Sequence, residues 1–466
     1  MEKSIFIDRE EELAFLEKKW REPGPQFIIL WGKRRVGKTE LVRRFIKDKP
    51  HIYFLAESTS ELDQLKRLSA AVARFFKEPL LETRGFAAWE EIFRYLAGKS
   101  ESRSERLILA MDEFPYLISS NPAIPGLFQK GWDEHLSKSR VYFLLVGSSM
   151  AMMENEVLGY KSPLYGRRTG QWRVDPMPFE AASLFRKGKS FEDRLAHYAL
   201  AGGIPAYWLQ FQERKDFWRN LGDHVLKKGE PLYDEVEFIL REELREPRYY
   251  FSLLQAIAQG KRKLSEIVNA TGISSPAANK YLGVLADLKI VERELSATEE
   301  KPLKSKKGLY RIIDNFFQFW FKFIFPGREK LEMGRTEEVV ERIRKEFPAH
   351  LSLVYEHVAR EILWKHRKNI FPFDSVGRWW HKTEEIDIVA INRELNSILF
   401  GEVKWSTKPV GTDVYEDLKH KARMVEWGKA GRKEFFCLFS KSGFTEGMIR
   451  KAGAEGVLLF KERHPF

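Results

Sequence analysis

Gln26 to Leu41 reads QFIILWGKRRVGKTEL, and the architecture of the chain turns on this stretch. An apolar strand runs into a glycine-bounded loop and then into a helix start. The loop, Gly32-Lys33-Arg34-Arg35-Val36-Gly37-Lys38-Thr39, satisfies G-x-x-x-x-G-K-[ST] at every fixed position. Gly32 and Gly37 permit backbone torsions that a side chain forbids. The loop's N–H groups then converge on phosphate oxygens at a helix N-terminus, where the dipole favours negative charge. Lys38 reaches β- and γ-phosphates, and the Thr39 hydroxyl is suited to ligate Mg²⁺. With Glu40 behind them, these loop residues are the expected nucleotide-binding set.

Working outward, 466 residues exceed one ordinary domain, and a hydrophobic content of 43% supports sizeable cores. The net charge of +12 favours an anionic partner such as nucleic acid. Cys437 is the only cysteine, which excludes an internal disulfide and fits a reducing, cytoplasmic setting. Met1 to Trp20 is charged and helical in pattern, unlike a secretion signal. The most apolar run, Phe316 to Phe325, is too short to span a bilayer, so no membrane partner is expected.

Before the loop, Asp8 is placed to N-cap a helix whose first turn carries Glu10, Glu11 and Glu12. That segment could touch an adenine. After it, Arg106 to Glu113 (RLILAMDE) is an apolar strand ending in two carboxylates. Asp112 is placed to hold the Mg²⁺ shell, and Glu113 to orient or deprotonate water. Tyr142 to Val146 is another apolar strand ending in Gly147-Ser148-Ser149. A polar residue there can sense the γ-phosphate, which implies a strand inserted between the other two in a parallel sheet. In PLYGRR, Arg167 or Arg168 reads as an arginine finger, in cis or from a neighbouring subunit, or equally as a basic surface loop. Gly202-Gly203-Ile204-Pro205 breaks the following helical region.

GKRRVGKT, LAMDE, LVGSS, PLYGRR and GGIP together resemble the archaeal ATPase family of STAND/AAA-like P-loop proteins over residues 1 to about 240. The resemblance implies Mg-ATP binding and hydrolysis with a helical lid. It carries phosphate contacts to Lys38 and Thr39, metal to Asp112, a catalytic glutamate to Glu113, sensing to Ser148 and, least directly, the arginine role to Arg167 or Arg168.

Downstream, three helical segments followed by strands at Ile290–Leu295 and Gly308–Ile313 give the order of a winged helix. The tip Lys301–Gly308 (KPLKSKKG) is its best phosphate contact. The recognition-type helix offers Asn279, Lys280 and Tyr281. Packing on the ATPase without touching DNA is the plainer reading of this unit. Asp314–Pro326 (DNFFQFWFKFIFP) is expected to be a buried helix between domains rather than a base-stacking surface, with a charged linker to 347.

From 348 a further pattern begins. Helix Leu351–Trp364 carries Glu356, the EIDIVA strand carries Asp387, and LFGEVK carries Glu402 and Lys404. Residues 402 and 404 point to one face of a strand, and Asp387 approaches from its neighbour. Two carboxylates and a lysine on one sheet face are costly unless they bind metal or each other. Together they can hold Mg²⁺ or Mn²⁺ and activate water, with Glu356 completing the shell. The set resembles the PD-(D/E)xK restriction-endonuclease-like nucleases, except that Ile386 stands where a proline usually precedes the aspartate. The resemblance assigns metal to Asp387 and Glu402, the electrophilic or base role to Lys404 and support to Glu356. An inert nuclease fold used only for binding is the alternative.

The expected fold is therefore multidomain α/β. It comprises a P-loop NTPase core with a parallel sheet (1–175), a helical lid (176–246), a winged helix (247–313), a helical linker (314–347) and a restriction-endonuclease-like α/β domain (348–466). The expected ligands are ATP or ADP with Mg²⁺, the expected partner is DNA, and the oligomeric state is left open.

Overall fold

The computed structural model describes residues 6–103, 105–244, 246–302, 304–305 and 307–466. Met1–Ile5, Ser104, Arg245, and Leu303 and Lys306 of the lysine-rich tip lie outside them. The chain forms two compact units, Met1–Met177 with Gly203–Tyr207, and Pro178–Gly202 with Trp208–Phe466.

In the first unit, β1 (Gln26–Trp31), β2 (His51–Leu55), β3 (Leu107–Asp112), β4 (Val141–Gly147) and β5 (Gly170–Arg173) make one parallel sheet in the order β2-β3-β4-β1-β5. Every residue of β1, β3 and β4 is buried. That is why these strands read as unbroken apolar runs: helices cover both faces of a parallel sheet. β4 does lie between β1 and β3. β5 was not anticipated; it is a four-residue edge strand without an apolar run. The helix after the loop, Lys38–Ile46, buries Leu41, Val42, Phe45 and Ile46 on one side.

Asp8 does not cap the first helix. Helix Glu10–Arg21 has Arg9 at its N-cap position with no side-chain cap, and Asp8 and Arg9 both have positive φ. Arg9 turns inward instead and binds Val36. The GGIP turn has a steric basis: a Cβ on Gly203 would lie 2.0 Å from the Met177 carbonyl oxygen, and Met177 N donates to Gly203 O at 2.8 Å.

In the second unit, helices Pro247–Ala258, Leu264–Thr271 and Ser275–Asp287 precede an antiparallel hairpin of β6 (Val291–Glu294) and β7 (Leu309–Ile312). The aromatic segment is buried within this unit: Phe316, Phe319, Trp320, Phe321 and Phe323 are fully enclosed, which removes them as base-stacking surfaces. Asp314 caps it by accepting from Phe316 N and Phe317 N.

The division at 347/348 falls inside one helix. Thr336–Ile370 is continuous through Pro348. A mid-helix proline removes one hydrogen bond and costs about 3 kcal/mol. The buried series Phe347, Leu351, Val354, Tyr355 and Val358 outweighs that cost. A six-stranded mixed sheet follows: β8 (Ser375–His381), β9 (Glu384–Asn392), β10 (Ser397–Lys404), β11 (Lys433–Ser440), β12 (Leu458–Lys461) and β13 (His464–Pro465), in spatial order β13-β12-β11-β10-β9-β8. β12 and β13 follow β11 in the chain and extend the sheet on its far side. Cys437 is a core residue lodged against Gly401, where an added Cβ would meet its sulfur at 2.6 Å.

Candidate functional sites at two carboxyl edges

The register of the first sheet brings three motifs to one edge. Trp31 pairs with Gly147 and Leu55 with Asp112, so the loop from Gly32, the Asp112-Glu113 pair and Ser148 share the carboxyl ends of adjacent strands. Lys38 is buried, and its Nζ donates to Gly32 O at 2.9 Å and Lys33 O at 2.7 Å. Arg9 Nη2 donates to Val36 O at 2.9 Å, and its Nη1 pairs with Glu12 at 2.9 Å. The helix before β1 thus braces the loop. Gly32 is sterically required, because a Cβ there would stand 2.3 Å from the Val174 carbonyl oxygen at the end of β5.

Asp112 is fully buried. Its Oδ2 accepts from Thr39 Oγ1 at 2.7 Å and Tyr53 Oη at 2.8 Å, and its Oδ1 accepts from Glu113 N at 2.9 Å. Burial, then the adjacent Asp112 charge, push the Tyr53 hydroxyl far above its ordinary pKa, so Tyr53 remains a donor. Glu113 has a left-handed backbone, φ 54°. This turns its side chain to Ser148, whose Oγ donates to Glu113 Oε2 at 2.5 Å. A hydroxyl beside a buried carboxylate at a helix N-terminus is a donor set that fits Mg²⁺ with a nucleotide.

The second cluster lies in the second unit. β9 and β10 are antiparallel with Gly401 opposite Ile388, so Asp387 and Glu402 come next to each other one step further along. Val403 N donates to Asp387 Oδ2 at 2.9 Å, and Lys404 Nζ to Glu402 Oε1 at 2.6 Å. Burial raises both carboxyl pKa values. Glu402 Oε2 is buried with no hydrogen-bond partner among the described residues. Such an oxygen is expensive to leave unpaired, and it fits a cation ligand. Glu356 is also buried; burial first, then the Asp387 charge, raise it to about 8. Arg378 Nε lies 3.7 Å from Glu356, and Arg378 Nη2 donates to Glu385 at 2.8 Å. Arg360 Nη1 holds the Asp387 carbonyl at 3.1 Å. Among the described residues, Glu356, Asp387 and Glu402 do not close into a three-ligand group; Glu90, Glu134 and His135 do, although Lys130 and Arg94 already pair with Glu90.

Residues 6–211 match the family described as an ATPase domain predominantly from Archaea, and residues 320–420 match one described as archaeal and bacterial proteins of unknown function. An uncharacterized protein of Methanocaldococcus jannaschii is 37% identical over 426 residues, spanning 90% of this chain and 92% of that protein. The chain belongs to this archaeal P-loop ATPase family. An uncharacterized ATP-binding protein of the same organism is 53% identical over 45 residues, 10% of this chain and 76% of its own length. The Walker-type ATPase of Pyrococcus abyssi shares the fold, with a TM-score of 0.51 at 24% identity over 68% of this chain and 96% of its own.

The archaeal ATPase departs from sequence expectation at Arg167 and Arg168. Both precede β5, and Thr169 N donates to Phe27 O at the start of β1. At about 3.3 Å per residue, the length of β1 separates them from the loop by roughly 15–20 Å. Arg167 pairs with Asp133 at 3.2 Å, and Arg168 donates to Leu158 O at 3.2 Å while lying over the Tyr165 ring. A finger acting in cis is therefore ruled out for this conformation; the motif identifies the arginines but not the edge of the sheet at which they stand. Arg9 and Tyr53 were missed because neither belongs to a motif and both reach the site through tertiary contact. Arg360 was missed as part of the second cluster for the same reason. Among the described residues no helix is long and apolar enough to cross a membrane.

Proposed function

We propose that this ATPase hydrolyses Mg-ATP and uses the nucleotide state to drive DNA processing by its C-terminal sheet domain. The observation that carries the first half is the Thr39–Asp112 hydrogen bond beside the Glu113–Ser148 pair. Loop amides and Lys38 hold the phosphates, Thr39 and Asp112 the metal side, and Glu113 takes the proton of the attacking water. Ser148 reports whether Glu113 is engaged. Mg²⁺, when bound, neutralises charge developing on the transferred phosphoryl group. Phe6 lies beneath Arg44 of the loop helix, a location suited to an adenine wall. An arginine from a neighbouring copy remains the source for any arginine finger.

For the second half, helices 247–287 and the β6–β7 hairpin serve as a winged helix. Asn279 and Lys280 are exposed, whereas Tyr281 is stacked on Tyr249 at 5.2 Å. Lys301, Lys304 and Lys307 supply phosphate contacts at the tip. Asp387 and Glu402 act as cation ligands in a restriction-endonuclease-like nuclease, supported by the unpartnered Glu402 oxygen. Lys404 stabilises charge at the cleaved phosphate, and Glu356 supports the ligand set.

A second reading is a nucleotide-dependent switch that binds DNA or protein through an inert nuclease fold. It is favoured by the 2.6 Å Lys404–Glu402 pair, which already neutralises one of the two candidate ligands. The test is cleavage of plasmid and linear DNA with Mg²⁺ or Mn²⁺, with and without ATP, beside Asp387→Ala and Lys404→Ala. Metal-dependent cutting lost in both variants supports the nuclease, and an ATP effect lost in Lys38→Ala supports coupling. ATP turnover without cutting leaves the switch.

A further inference from the structure

A cleft of roughly 550 Å³ opens within the second unit, between β7, the aromatic segment and helix Thr336–Ile370. Among the described residues, six cationic side chains line it, Arg262, Arg311, Lys322, Arg342, Arg360 and Arg378, against two carboxylates, Glu346 and Glu356. Most of the guanidiniums are held in place from behind. Arg262 Nη2 is fixed by Glu294 at 2.6 Å, Arg378 Nη2 by Glu385 at 2.8 Å, Arg311 by Glu292, and Arg342 by the Phe323 carbonyl. Among the described residues, Nε of Arg262 is buried with no hydrogen-bond acceptor, and buried Nε of Arg378 has no hydrogen bond, only Glu356 at 3.7 Å. Unpaired buried donors are rare and costly. A concentration of fixed cations with unused donors is an anion site built in advance.

The rest of the lining is more selective than a phosphate requires. Ile312, Leu353 and Val354 give an apolar wall, and Gln259 and Gln318 bring two amides to it. An amide beside an apolar surface suits the edge and face of a nucleobase. The volume also falls within the 300–1,000 Å³ range of small-molecule sites. Lys322 adds a further indication: burial pulls its pKa down, and its ammonium sits 5.2 Å from the Phe323 ring centroid. An anion arriving there would compensate that desolvation.

We propose that this cleft binds a nucleoside monophosphate, its phosphate on the arginine and lysine side and its base on the Ile312–Val354 wall. The ligand is either a free mononucleotide or the 5′-phosphorylated terminal nucleotide of a strand, which present the same chemistry. The site is separate from the P-loop; it shares Glu356, Arg360 and Arg378 with the second cluster but does not depend on cleavage at Asp387 and Glu402.

The test is calorimetric titration of the full chain carrying Lys38→Ala, which disables the P-loop phosphate contact. The probes are AMP, adenosine, inorganic phosphate, and one single-stranded oligonucleotide with either a 5′-phosphate or a 5′-hydroxyl. AMP is expected to bind at least tenfold more tightly than adenosine or phosphate. Adding Arg311→Gln with Lys322→Met should weaken AMP at least tenfold, while in the parent background the same pair leaves Mg-ATP binding unchanged. Glu346→Gln, at an exposed position, should tighten AMP several-fold. It gives an independent answer if the double variant melts early. A 5′-phosphate preference of tenfold or more, with tighter binding than AMP, assigns the site to strand ends; no such preference assigns it to free nucleotide. Equal affinity for AMP and adenosine, or AMP affinity unmoved by Glu346→Gln and by a folded double variant, overturns the proposal.

Discussion

Ser148 Oγ and Glu113 Oε2 are 2.5 Å apart, so the candidate base is held by the residue that ends the neighbouring strand. Glu113→Gln keeps the shape and removes the basicity. Loss of a positioned base typically costs about 10²- to 10⁴-fold. Turnover in steady-state ATP hydrolysis is therefore expected to fall by that order with ATP binding retained. Ser148→Ala should cost less and act on kcat rather than KM. An unchanged kcat in Ser148→Ala would show that the contact orients nothing.

Tyr53 donates to the Asp112 oxygen that also accepts from Thr39. Partners behind a metal ligand typically matter by about 10- to 100-fold in affinity or activity. Tyr53→Phe should raise the Mg²⁺ concentration needed for half-maximal ATP hydrolysis by a factor in that range, without loss of nucleotide binding in the absence of metal. A magnesium titration that superimposes on the parent protein's would remove Tyr53 from the site.

Gly32 and Gly37 differ in why they are glycines. Gly32 faces the Val174 carbonyl, whereas nothing among the described residues lies within 4 Å of a Cβ on Gly37, whose φ is +96°. Gly32→Ala should lower the melting temperature by the equivalent of about 1–3 kcal/mol, as overpacking does, and impair nucleotide binding. Gly37→Ala should cost about 1–2 kcal/mol from its positive φ alone. Thermal melts with and without ATP separate the two effects.

Two buried groups in the second unit give stability opposite dependences on pH. Burial lowers His350 to about 4, and its Nε2 lies 3.1 Å from Ala199 O. Because the unfolded imidazole titrates near 6.5, the unfolded chain binds more protons between those values. The His350 contribution is present above about pH 6.5 and lost as pH falls toward 4. Glu361 is raised to about 7 by burial, while its carboxylate oxygens accept from Phe179 N and Tyr198 Oη. There the folded chain binds more protons, so stability is lost as pH rises from about 4.5 to 7. Each amounts to at most about 3 kcal/mol. Urea unfolding of His350→Gln should show less acid destabilisation than the parent, and Glu361→Gln should gain relative stability toward pH 7. Parallel pH curves for all three proteins would contradict both assignments.

The sequence by itself determined what is local and chemically compulsory. A phosphate loop needs its glycines, lysine and threonine in one short run. Strands buried on both faces must be continuously apolar, so β1, β3 and β4 and the residues at their ends were legible. The alternation of β9 and β10 likewise put Asp387, Glu402 and Lys404 in range of one another. Only the tertiary structure decided matters of distance along the chain and of competing burial. Arg9 and Tyr53 reach the nucleotide site from elements with no motif. Arg167 and Arg168 lie at the wrong edge of the sheet for a finger in cis, because their position is fixed by where β5 pairs with β1. The sequence pattern changes at Pro348, where an isolated helix would break. Burial of Phe347, Leu351 and Val354 on one face carried the helix through it. Local torsions and patterns are written residue by residue; which distant side chain supplies the last hydrogen bond depends on packing energies that no single stretch contains.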